Sequence, residues 1–465
     1  MERQNAWKQY SKKQQKEVFA FAEEYKTFIS ENKTERECVE TFQKAAEKAG
    51  FVLLEDVLKK KTVLKPGDRV FCNNMGKEVA MFVIGSEPME QGMNILGAHI
   101  DSPRLDLKQN PLYESNELAL LDTHYYGGIK KYQWVAIPLA LHGVVVKKDG
   151  TKITVNIGEK PEDPVFGVSD LLIHLAQDQL AKKASVAVEG EKLDVLVGSI
   201  PLKDEEKDAV SKGVLSILKK EYDFEEEDFL SAEIEVVPAG RARDYGFDRS
   251  LIMGYGQDDR SCAYPSFAAI CNAKTPHRTS VCLLVDKEEI GSVGATGMKS
   301  RFFENMVAEV MEAAGQYSEL ALRRSLANSA VLSSDVSAAY DPNYESAFEK
   351  KNAAFLGRGI VFNKFTGSRG KSGSNDANAE YIGQLRKILD DANVSYQTAE
   401  LGKVDQGGGG TIAYILARYG MQVIDSGVAV LNMHAPWEIT SKADLYEALK
   451  CYEAFLEQAD PTVLA

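Results

Sequence analysis

Short apolar runs that stop on an acid or a histidine recur along this chain, and they constrain its fold more than any other feature. Met93–Ala98 ends at His99, Thr279–Val285 at Asp286, Val331–Ser334 at Asp335, and Leu431–Met433 at His434. Runs of this length, rich in Val, Ile and Leu, read as buried strands. Several are separated by segments of helical character: Ser266–Cys271 opens one, Met306–Ala314, Thr411–Tyr419 and Ala443–Gln458 supply others, and Gln422–Asp425 is a further strand. Strands alternating with helices predict an α/β chain built on a mixed, mostly parallel sheet covered on both faces.

The rhythm is not continuous. The chain leads in with helical patterns at Val18–Ile29 and Thr34–Ala49, stopped by Gly50, and then turns to β-rich text from Val63 to Val83. From about Leu107 the character changes again. β-rich runs at Trp134–Val146 and Ile153–Val155 are followed by a lysine- and glutamate-rich helical stretch, Lys203–Phe229. With 465 residues the chain exceeds one ordinary core. The expected organisation is a domain made of residues 1–106 plus 247–465, interrupted by an inserted β-rich domain at 107–246. The Gly407–Gly410 run reads as a tight loop meeting a helix N-terminus.

Composition narrows the function classes. A formal net charge of −14 disfavours nucleic acid and anionic lipid as partners, since both reward a basic surface. No apolar stretch approaches the roughly 20 residues that span a bilayer. The polar start Met1–Glu17 lacks a secretory signal, and the six scattered cysteines form neither a disulfide frame nor a thiolate metal site. A cytoplasmic setting is expected.

The polar strand ends carry the chemistry. In His99-Ile100-Asp101, residues i and i+2 share a face of an extended chain, so Asp101 can bond the second ring nitrogen of His99. Gln257-Asp258-Asp259-Arg260 follows the Gly254-Tyr255-Gly256 turn and precedes a helix; one aspartate could bridge two ions, or both could cap the helix. Glu288 and Glu289 follow a buried strand, where adjacent carboxylates are costly unless a cation neutralises them. Consecutive residues splay apart, so one glutamate can bind metal while its neighbour faces water as a base; an exposed acidic turn is the plainer alternative. Asp335 and His434 complete a set of imidazoles and carboxylates suited to metal-assisted hydrolysis. Other hydrolytic or nucleotide motifs fail. Gly291–Ser300 nearly spells a phosphate loop but has Met298 where glycine is required, and neither GxSxG nor HExxH occurs.

Several longer stretches resemble one family: GAHIDSPRLDLK from Gly97, THYYGGIKKYQW from Thr123, GQDDRSCA from Gly256, DKEEIGS from Asp286, SSDVSAAYDPN from Ser333 and NMHAPWE from Asn432. The chain resembles the aspartyl aminopeptidases, dinuclear zinc peptidases with an α/β catalytic domain and an inserted dimerisation domain. The resemblance implies that His99, Asp258 and Asp335 hold one metal and that Asp258, Glu289 and His434 hold the other. Asp258 would then bridge, because the family places its bridge first in the acidic pair. It implies Glu288 as general base, Asp101 as the support of His99, and two ions per subunit, zinc before cobalt or manganese. It also implies that His174, sent from one subunit's inserted domain into its neighbour's site, polarises the substrate carbonyl, within an assembly of dimers that typically closes as a dodecamer.

Relatives preferring amino-terminal Asp or Glu use a lysine near a later tyrosine, for which Lys371 and Tyr381 are the candidates here. The chain departs from many relatives after His434, reading Ala435-Pro436-Trp437. The expected activity is removal of amino-terminal residues from peptides, to which the resemblance adds a preference for acidic ones.

Overall fold

The computed structural model describes residues 3–371, 373 and 375–460. Two compact units divide the chain: one takes the chain up to Asp101, Ala242–Met433 and the chain from Glu438, and the other takes Ser102–Arg241 with His434–Trp437.

The first unit opens with two helices whose starts are written in the sequence. Ser11 with Gln14, and Thr34 with Glu37, form capping boxes ahead of Lys12–Glu31 and Glu35–Lys48, each satisfying otherwise orphaned N–H groups. Nine strands follow in one sheet. Their spatial order is Val52–Leu53, Arg69–Asn74, Glu78–Val83, Thr279–Val285, Met93–His99, Ala330–Ser334, Gln422–Gly427, Ile360–Asn363 and Tyr396–Thr398. The middle four are parallel, from Thr279–Val285 through to Gln422–Gly427. In register, Val285 lies beside His99, Ser333 beside Gly97, and Asp425 beside Ser333.

Both faces of this sheet are covered, which is why its central strands are apolar throughout. Leu96, Leu332 and Ile424 turn to one core with Phe267, Leu445 and Phe455. Ile95, Val331 and Val423 turn to the other, with Phe303, Ile412 and Leu416. A smaller five-stranded sheet joins Arg243–Tyr245, Leu251–Gly254, Glu438–Ser441, Ala429–Leu431 and Ser337–Ala338, and is antiparallel except for its last pair.

The second unit is β-rich. Its six strands, ordered Lys152–Ile157, Leu139–Val146, Ala232–Pro238, Arg104–Ser115, Leu118–Tyr126 and Val195–Gly198, pair antiparallel throughout. The fold is therefore mixed α/β with several sheets: parallel pairing runs through the middle of the nine-stranded sheet, recurs in the pair at each of its edges and joins the last pair of the small sheet, while the six-stranded sheet has none. Parallel neighbours need crossover helices, and those occur only in the first unit. Several segments also differ from expectation: the helix expected over Thr411–Tyr419 is confined to Ala413–Ala417, and the one expected to open at Ser266–Cys271 begins at Gln257. The strand expected from Trp134 begins at Leu139, after Pro138, and the helix expected over Lys203–Phe229 is α-helical only at Ala209–Tyr222. No helix among the described residues is long and apolar enough to cross a membrane.

Candidate metal centre

The central strands of the first unit deliver their polar ends to one place. His99 closes a wholly buried strand, and its ring meets acids on both sides: Nδ1 lies 3.3 Å from Asp101 Oδ1, and Nε2 lies 3.2 Å from Asp258 Oδ1. Its backbone N–H donates to Asp259 Oδ2 at 3.3 Å. Burial would lower the His99 pKa, but the bonds to Asp101 and Asp258 and the nearby negative charges outweigh it and hold the pKa well above the ordinary value.

Asp258 and Asp259 stand at the start of the helix Gln257–Asn272, in non-helical conformations and joined by a cis peptide bond. The small sheet fixes this start. Glu438 Oε2 accepts the N–H of Asp258 at 3.1 Å, and the Glu438 carbonyl accepts from the Gln257 amide at 2.8 Å. Asp335 arrives just after its strand, its N–H donating to the Ser426 carbonyl at 3.0 Å. Ligand atoms of His99, Asp258 and Asp335 all lie within 4.8 Å of one another. Burial drives the Asp335 carboxyl well above its usual range, and the charges of Asp258 and Asp259 drive it further. Carboxylates brought this close call for a cation.

The third contribution comes from the turn after Thr279–Val285. Asp286 accepts from its neighbour's backbone, Lys287 N, at 2.8 Å, from Lys287 Nζ at 2.7 Å and from Thr296 Oγ1 at 2.6 Å. This knot holds Lys287 in a left-handed conformation with φ 66°, and Gly291 closes the turn at φ 93°. Between them Glu288 and Glu289 offer their N–H groups to Asp101 Oδ1 and Oδ2, at 3.2 Å each. Oxygens of both glutamates come within 4.8 Å of a His99 nitrogen, and Glu289 and Asp258 approach to the same limit.

The remaining expected residues are placed as follows. His434 directly follows Met433, has φ 65°, and its Nδ1 lies 2.8 Å from the Gly128 carbonyl in the second unit. His174 is exposed in the short turn Ile173–Leu175, among the exposed Leu171, Leu172, Ile173 and Leu175. Lys371 pairs with Asp376 at 2.9 Å and lies over the Phe365 ring. Tyr381 does not line a binding wall. It is 1% exposed, and its hydroxyl donates to the Val331 carbonyl at 3.0 Å. Its ring belongs to the core of Leu96 and Leu332, on the sheet face opposite Ile95 and Val331, so the periodic apolar pattern of the helix Ala379–Asp391 claims it. Two supports were not foreseen, Glu438 and Asp286. The only signal was an acid beginning or ending an apolar run, which does not reveal the backbone it will hold.

Imidazole and carboxylate donors of this kind suit zinc, and their placement at the end of a mixed sheet is that of a metallohydrolase. The chain belongs to the peptidase M18 family, the aminopeptidase I zinc metalloproteases, whose family model matches residues 28–456. It is thus a zinc aminopeptidase, a hydrolase. A Clostridium acetobutylicum protein named Probable M18 family aminopeptidase 1 is 65% identical over 456 residues, 98% of either chain. The crystal structure of an M18 aminopeptidase from Thermotoga maritima matches with a TM-score of 0.94 at 47% identity, covering 99% of this chain and all of that one (100%). A dodecamer of S. cerevisiae mApe1 shares the fold at 20% identity, with a TM-score of 0.75 over 94% of this chain and 96% of its own.

Proposed function

We propose that the chain removes the amino-terminal residue of peptides with two zinc ions per subunit, one held by His99, Asp258 and Asp335 and the other by Asp258, Glu289 and His434. The observation that carries this reading is the position of Asp258, whose carboxylate stands within 4.8 Å of donors from His99 and Asp335 and also of Glu289. An acid shared in this way is suited to bridging. Bound zinc supplies electrophilic activation of water and of the scissile carbonyl. Glu288 takes the proton of the attacking water and passes it to the departing amine. Asp101 keeps the His99 ring and the Glu288–Glu289 turn in place.

Recognition of an acidic amino-terminal side chain is assigned to Lys371, whose exposed ammonium a substrate carboxylate can take over from Asp376. Self-association is assigned to the exposed Leu171–Leu175 segment of an inserted oligomerisation domain, with His174 entering the neighbouring subunit's site. Exposed apolar side chains in this number favour an interface. A twelve-subunit assembly is proposed by likeness to the mApe1 dodecamer. A reducing, cytoplasmic setting accords with six free cysteines.

The experiment is turnover of a panel of aminoacyl reporter substrates before and after chelation, with zinc, cobalt or manganese restored singly and the bound metal counted. Two ions per subunit and recovery by zinc are expected. Chelator-insensitive turnover, or full activity at one ion, would remove the two-ion mechanism.

A further inference from the structure

The metal centre accounts for the ends of Met93–His99 and Ala330–Ser334 but not for a buried acid one step behind them. Asp425 is 2% exposed and pairs in register with Ser333. Side chains alternate along a strand, so Asp425 shares a sheet face with Val423, Ser333 and Gly97, the face on which His99 and Asp335 continue. At about 3.3 Å per residue it lies roughly 7 Å behind Asp335.

Its carboxylate collects three hydroxyls. Thr411 Oγ1 donates to Oδ1 at 2.5 Å, Ser333 Oγ to Oδ1 at 3.4 Å, and Thr366 Oγ1 to Oδ2 at 3.4 Å. Burial raises the carboxyl and these hydroxyls pull it part of the way back, leaving it at about 7. Thr411 closes the Gly407–Gly410 run, and Thr366 opens the segment that leads to Lys371. The two segments meet again beyond the acid: the Gly367 N–H donates to the Gly409 carbonyl at 2.8 Å. Gly408, at φ +124°, comes so near that a Cβ there would sit 2.4 Å from the Gly367 carbonyl oxygen. The next residue, Ile412, lies over Gly97, two positions before His99; a Cβ on Gly97 would be 3.2 Å from its Cδ1. The joined segments therefore stand on the ligand-bearing face.

We infer that Asp425 is a positioning residue that fixes Thr366–Lys371 and Gly407–Thr411 as one wall beside the metal centre, and that this wall seats the substrate. The inference rests on the peptidase reading of that centre. Asp425 acts through Thr366 and Thr411, touching neither metal nor peptide.

The test compares Thr411→Val, Thr411→Ser, Asp425→Asn and the Asp425→Asn/Thr411→Val pair in the zinc-loaded full chain. Thr411→Val and Asp425→Asn should raise KM about tenfold, since small misplacements of a binding wall are costly, with kcat nearly unchanged and zinc content intact. Thr411→Ser should restore the wild-type KM, and the double variant should be no worse than Asp425→Asn. Trypsin should cut faster after Arg369, Lys371 and Lys403 in the affected variants, a readout that needs no turnover. An unchanged KM and cutting rate in Thr411→Val, or a KM rise accompanied by zinc loss, overturns the inference. If Asp425→Asn does not fold, Thr411→Val and Thr411→Ser decide alone. Absence of zinc-dependent turnover in the wild type would instead sink the peptidase reading, leaving the proteolysis comparison to judge whether Asp425 fixes the wall.

Discussion

Asp101 holds Glu289 by its backbone: Oδ2 accepts the Glu289 N–H at 3.2 Å while Oδ1 faces His99 Nδ1 at 3.3 Å. One carboxylate thus sets two proposed ligands, a ring on one strand and a turn after another. Asp101→Asn keeps the volume but replaces one acceptor oxygen with an amide that cannot accept an N–H. Zinc affinity should fall by roughly 10- to 100-fold, as for supports of metal ligands generally. Competition with a chromophoric chelator measures it, and unaltered affinity would show that the ligands hold themselves.

Glu288 shares that turn, and its proposed task is proton transfer rather than coordination. Glu288→Gln should retain the wild-type zinc content while kcat drops by roughly 10²- to 10⁴-fold, the usual range for loss of a general base. Metal analysis beside steady-state kinetics separates the two roles. A variant that loses both zinc and activity would make Glu288 a ligand.

If His174 serves a neighbouring subunit, two inactive variants should rescue each other. His174→Ala and Glu288→Gln, each nearly inactive alone, should regain part of the wild-type rate after co-refolding or co-expression, because a mixed pair contains one site with both residues intact. Activity no greater than the sum of the separate variants would place His174 outside the reaction.

Glu78 gives a pH prediction independent of the metal. It is 1% exposed, accepts a bond from Asn74 at 2.9 Å, and burial raises its pKa from 4.5 to about 9. Between those values the folded chain keeps a proton that the unfolded chain releases, so this contribution to stability is full below pH 4.5 and is lost as pH rises through 9. Glu78→Gln fixes the neutral state. The variant should melt near the wild-type temperature at the acid end of that window and increasingly above it toward the alkaline end, by about 1–2 °C per kcal/mol recovered for a chain of this length. Parallel melting curves across the window would mean that the acid is not held neutral.

The parts of this molecule that local pattern determines were legible in the sequence. Thr279–Val285 and Met93–His99 are strands with the boundaries their apolar runs predict, and Ala443 begins the apolar face of the helix Lys442–Gln458. Segments whose state depends on distant partners were not. The polar Lys203–Phe229 stretch has helical composition, but beyond Tyr222 it leaves the α-helix at the left-handed Asp223. At the site, residue types could nominate His99, Asp258 and Glu289, yet the bonds from Asp101 to the glutamate turn and from Glu438 to Asp258 join residues 180 or more positions apart. Tyr381 shows the converse, a residue that resemblance brought toward the substrate and that helix periodicity buries in the core.

The strand Met93–His99 packs against different cores on its two faces, with Ile95 on one and Leu96 and Ala98 on the other. A slip of one residue would exchange the faces and turn His99 away from Asp258. Along this stretch, length is therefore a stricter requirement than identity. Lineages of this enzyme should show apolar exchanges between Met93 and Ala98 far more readily than any insertion or deletion, and a single added codon there should silence the enzyme where a whole extra turn in a surface loop would not.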